Sequence, residues 1–66
     1  MNYLVYLING EKIATFNSDW KFKENEQIFI HLNDGKKNFV IKHITHDLTL
    51  SNEHVIRLYG HEKKVY

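Results

Sequence analysis

The chain contains no cysteine, no proline, a single arginine and three glycines in 66 residues. Without cysteine there is neither a disulfide nor a thiolate metal site, the staples on which domains this short often rely. The same lack fits a reducing, cytoplasmic setting. No apolar run approaches the roughly 20 residues of a membrane span. The opening "MNYLVYLINGEK" has no basic start and no small-residue cleavage site, and it breaks at Asn9-Gly10, so it does not read as a signal peptide. No membrane partner is expected. Charge of one sign is missing too. Nine Lys and Arg against eight Asp and Glu leave a net charge of +1, which argues against a dedicated nucleic-acid binder with a strongly basic face. It argues equally against an acidic DNA mimic.

What is present is packing material. Four Phe, four Tyr, one Trp and many Ile, Val and Leu must hold a single domain together by burial alone. A chain of this length buries about 60% of its unfolded surface, so the core is small. The abundance of Lys, Asn and Ile is the mix that AT-rich codons favour, and points to a low-GC bacterium or one of its phages. No repeat, low-complexity tract or linker divides residues 1–66.

The residues read as strands punctuated by turns. Residues 2–8, "NYLVYLI", are apolar on both faces, the pattern of a strand covered on both sides. Asn9-Gly10 then signals a type I′ hairpin, since both residues tolerate positive φ. A two-residue loop there pairs Tyr6 with Ile13, Val5 with Ala14 and Tyr3 with Phe16, the last placing two aromatics side by side. A second hairpin turns at Asp34-Gly35, joining "QIFIHLN" to "KKNFVIKHIT". It sets Ile30 opposite Phe39 and Ile28 opposite Ile41, four core residues on one face. Phe29, His31, Asn38, Val40 and Lys42 share the other, more polar face. Ile44 is out of phase with Ile41, and a bulge near Lys42-His43 would return it to the core.

"EHVIRLY", residues 53–59, suits a closing strand with Ile56 and Leu58 inward. The alternative is one short C-terminal helix, capped by Ser51 or Asn52 and ended by Gly60. The expected fold is therefore all-β, a small five-stranded antiparallel barrel or strongly curled sheet. In architecture it most resembles the SH3-like barrel, although no motif identifies a family. The three glycines, Gly10, Gly35 and Gly60, are assigned to turns or a terminus.

Five histidines raise the question of a metal, with His43 and His46 in "HITHD" the densest pair. Alternation points them to opposite faces, and zinc needs three or four ligands converging at about 2.0–2.2 Å. His54 or His61 would have to come near; no metal and no cofactor is expected. Catalysis has less support. Ser18 and Ser51 stand in loops without a Gly-rich turn, and a small barrel is expected to lack a pocket of the usual ~300–1,000 Å³. The protein reads as a non-enzyme.

The stretch "SDWKFKENEQ" carries the remaining signal. In an extended segment Trp20 and Phe22 face one side and Lys21 and Lys23 the other. The expectation is that Trp20 caps the open end of the barrel. Phe22, with Tyr3 or Tyr59 nearby, would then make an exposed aromatic patch of the kind found at interfaces. Trp20, Lys21, Phe22, Lys23, Tyr3 and Tyr59 are thus the candidate partner-binding residues. The function that follows is protein–protein contact by a small binding module, in a phage or prophage setting by modulating a host factor. A partner would pack on the patch or add a strand to an open edge, and a homodimer would use the same edge. The alternative is a nucleic-acid-binding barrel, using these lysines with Lys36, Lys37, Lys42, Lys63 and Lys64 around the aromatics.

Overall fold

The computed structural model describes residues 1–33 and 35–63. Five strands follow one another: β1 (Asn2–Leu7), β2 (Lys12–Asn17), β3 (Gln27–Leu32), β4 (Gly35–Leu48) and β5 (His54–Glu62). The fold is all-β, with no helix among the described residues. The single sheet runs β2-β1-β5-β4-β3 and curls strongly into a half-barrel. Three neighbouring pairs are antiparallel, but β1 and β5 lie parallel, so the sheet is mixed. Residues 54–62 form a strand and not the alternative helix, as β-branched Val55 and Ile56 favour.

The concave face carries the core. Tyr3, Val5, Ile30, Phe39, Ile41, Ile56 and Leu58 are buried there, with Ile13, Phe16, Phe22, Ile28 and Ile44 packed against them and partly covered. Fully burying one such side chain is worth about 1.5–3 kcal/mol, so these few residues supply most of the stability of an unstapled chain. On the convex side Leu4 and Tyr6 of β1 are only half-buried. Two-sided cover of this strand is therefore partial.

Both hairpins form, with registers that differ from the expected ones. In the first, Tyr3 pairs with Phe16 and Val5 with Ala14, but Tyr6 meets Lys12 and Ile13 becomes an extra residue. The loop holds Ile8, Asn9 and Gly10. Gly10 N–H donates to Leu7 C=O (2.8 Å) and Leu7 N–H to Glu11 C=O (2.8 Å), while Gly10 alone takes positive φ, +96°. This is the three-residue loop ending in a left-handed glycine, and not the two-residue type I′ turn. In the second hairpin Leu32 pairs with Gly35, Ile30 with Lys37 and Ile28 with Phe39. Asp34 lies outside the described residues. Gly35, at φ +137°, opens β4 and does not complete the tip. The register is two residues away from the expected one, which leaves each side chain on its face because the strand period is two.

The β4 bulge lies where the phase of the sequence requires it. Ile41 pairs with Gly60 and His43 with Tyr59, so Lys42 is the extra residue and Ile44 returns to the core face opposite Leu58. Gly60 is not a turn glycine. It is buried within β5, and a Cβ there would stand 2.7 Å from the Phe39 ring and against the Val40 carbonyl. On the expected polar face, Asn38 is instead buried and accepts a hydrogen bond from Gln27 Nε2 at 2.6 Å. Among the described residues no buried side-chain N or O lacks a partner.

Candidate functional site

The segment between β2 and β3 is pinned at both ends and in the middle. Ser18 and Met1 exchange backbone bonds of 3.0 and 3.1 Å, and the Ser18 hydroxyl accepts from Trp20 N–H at 3.0 Å. At the other end Asn25, at φ +70°, donates to Ile41 C=O, and Ile41 returns a bond to Glu26 C=O. Between them the buried Tyr3 hydroxyl donates to the Trp20 carbonyl at 2.5 Å. These ties hold the backbone of the loop in place.

The two aromatics of this loop take opposite roles from those expected. Phe22 closes the end of the half-barrel: its ring is partly buried, edge-on to Tyr3 at 4.9 Å and to Phe16 at 5.8 Å. Trp20 is 62% exposed. Its Nε1 faces the Glu26 carboxylate at 3.3–3.4 Å, longer than a strong hydrogen bond. Phe22 is wholly apolar and loses nothing by burial, whereas the indole N–H needs a partner, and Glu26 offers one at the surface. Lys21 and Lys23 are exposed beside Trp20, and with Asp19 they line a shallow cleft around its ring.

The other candidates do not join this surface. Tyr3 is 1% exposed and belongs to the core. Tyr59 lies on the convex face, stacked on Tyr6 with centroids 5.4 Å apart. Next to that pair Arg57 binds Asp47, and the Tyr6 hydroxyl, followed by Asp47, raises the guanidinium above its ordinary pKa. It stays cationic at any working pH.

Sequence reasoning missed the groove along the open seam of the half-barrel. Its volume is about 560 Å³, within the range of ligand pockets and contrary to the expectation that so small a fold holds none. Phe16, Phe22, Ile28, Ile30 and Leu32 line it, and His31 is its one titratable side chain among the lining residues. A second groove, of about 520 Å³, runs below Phe22 past Lys21, Glu24, His46 and His54. His46 Nδ1 and His54 Nε2 are 2.8 Å apart. Among the described residues no group of three or more metal-ligating side chains converges, and Lys64 lies outside them. No helix of the described residues is long and apolar enough to cross a membrane. Compared with known proteins, the chain matches no family model, no curated protein and no solved structure.

Proposed function

We propose that this is a non-enzymatic binding module that acts through protein–protein contact, with Trp20 as its anchor. The observation that carries the reading is the exposed Trp20 ring on a loop fixed by Tyr3, Phe22 and Asn25. Tryptophan is enriched at binding hot spots, and an anchor on a loop whose backbone is already held loses less freedom on binding. The flanking Lys21 and Lys23 give the anchor a polar rim. Against enzymatic chemistry stands the largely apolar lining of the larger groove, where His31 is the one titratable side chain. Against nucleic acid stands the near-balanced charge, nine Lys and Arg against eight Asp and Glu, with the one arginine tied to Asp47. Compact phage and prophage proteins often work by such contact, blocking or redirecting a host factor, which is an argument by analogy.

The test is capture of partners from the lysate of the source organism with the natural chain and with Trp20→Ala. A protein retained by the first and lost with the second supports the reading. A random oligonucleotide bound with a steep salt slope, flattened by nearly two units when Lys21 and Lys23 are neutralised, would replace it with the nucleic-acid alternative.

A further inference from the structure

The sheet has two open edges, β2 and β3, and its curl brings them to face each other across the apolar groove. Among the described residues each has a hydrogen-bonded neighbour on one side only. Neighbouring strands stand about 4.7–4.9 Å apart, and unpaired edges present rows of N–H and C=O groups toward any chain laid beside them. The groove is walled on one side by Ala14, Thr15 and Phe16 and on the other by Ile28 through Leu32. Its floor is the Phe22 plug and the core. A slot with backbone on both walls and side chains on its floor selects an extended strand over a helix, which brings no free backbone groups.

We propose that the seam between β2 and β3 is a strand-acceptor site for an extended, acidic segment of a partner protein. The added strand closes the half-barrel. The proposal rests on the reading that the protein acts by binding another protein, and it names the mode.

Topology and charge define the occupant. β2 is antiparallel to β1, β1 parallel to β5, β5 antiparallel to β4 and β4 antiparallel to β3. The two walls therefore run in opposite directions, and one inserted strand is antiparallel to one wall and parallel to the other. Its inward side chains, every second residue, meet Phe16, Phe22, Ile28 and Ile30, so they must be apolar. Its outward side chains lie along two strands that carry no acid and one lysine, Lys12. β3 contributes His31, and Lys36 leans over the half-exposed Phe29 ring at 4.7 Å. Aspartate or glutamate at the outward positions complements that rim. The six-residue walls match an insert of about six residues, roughly 20 Å long. A sheet with two open edges invites pairing with itself, and these edges carry few of the charges that usually prevent it; a partner strand removes both edges at once.

The test uses a displayed library of ten-residue peptides with alternating apolar and polar positions, selected on the full chain. The expected result is enrichment over a library of the same composition in scrambled order, with acidic residues at the polar positions. A synthetic copy of an enriched peptide should slow amide exchange at least tenfold in Ala14–Phe16 and Ile28–Leu32. Methylating its alternate backbone nitrogens should weaken binding at least tenfold, and so should Lys36→Glu. No enrichment, or protection confined to the Tyr6–Tyr59 face, overturns the proposal. So does concentration-dependent protection of both strands without peptide, with a dimer in sedimentation, because the occupant is then a second copy. Trp20→Ala is measured beside it. A natural partner held through Trp20 when no peptide enters the seam sinks the strand-acceptor site alone; a seam peptide with no Trp20-dependent partner sinks the anchor alone.

Discussion

The hydroxyl of Tyr3, buried in the sheet, donates to the carbonyl of Trp20, whose ring is exposed. One hydrogen bond thus joins the core to the candidate anchor. Removing it with Tyr3→Phe keeps the ring packing and should cost about 0.5–1.5 kcal/mol of stability, the net worth of such a bond. Fluorescence of the only tryptophan should show a more mobile indole while the melt stays cooperative. An unchanged anisotropy would separate the Trp20 conformation from the Tyr3 bond.

Phe22 and Trp20 should respond to truncation in opposite ways. Phe22→Ala opens the plug against Tyr3 and Phe16, and a buried Phe costs about 3–5 kcal/mol when cut to Ala. Phe22 is only partly covered, so the lower end is expected. Trp20→Ala should change stability by less than about 0.5 kcal/mol, as for other surface positions, while weakening partner binding by more than about 2 kcal/mol. Urea denaturation of both variants checks the first half and titration with the captured partner the second.

Gly60→Ala should be among the most damaging single substitutions. The added methyl meets the Phe39 ring and the Val40 backbone, which cannot both give way inside a sheet. Overpacking of this kind costs about 1–3 kcal/mol and sometimes more. A Gly60→Ala chain as stable as the natural one would show that β4 and β5 approach each other less closely.

Ile30→Ala should cost about 2–5 kcal/mol as a core truncation, enough to unfold much of a domain this small. Lys37, directly opposite Ile30, holds only a 3.9 Å partly exposed pairing with Glu62. Such pairs contribute about 0–1 kcal/mol, so Lys37→Ala should be nearly silent. Thermal melts of the two variants side by side check whether Ile30, and not its cross-strand neighbour Lys37, is the buried member of the pair.

Features set by local pattern were legible in the sequence. The phase slip between Ile41 and Ile44 located the Lys42 bulge, and alternation around Phe39 and Leu58 located the core. Features set by distant partners were not. Residues 2–8 look like a well-covered strand, yet nothing local says that the second neighbour of β1 is β5, or that it runs parallel. The Asp34-Gly35 pair suggested one register, and packing of Ile28 against Phe39 established another. The roles of Trp20 and Phe22 depend on contacts with Tyr3, Phe16 and Glu26, and the Tyr3–Trp20 bond joins residues 17 apart and leaves no mark in either segment. The seam was invisible for the same reason, since it exists only once β2 and β3 are brought face to face.

Because Asn2 pairs with Val55 and Leu7 with Gly60, the middle of the sheet is made by the earliest and the latest strands of the chain. Each hairpin closes over a short loop and can form quickly, but β1 and β2 have no sheet to join until β5 has docked. Long-range pairing of this kind slows folding, because the entropy of closing the whole chain is lost before any contact compensates. Until β5 docks, Tyr3 and Val5 of the first hairpin remain uncovered. Stopped-flow refolding should therefore show the β1–β5 contacts forming late, with Ile56→Val speeding unfolding more than it slows folding.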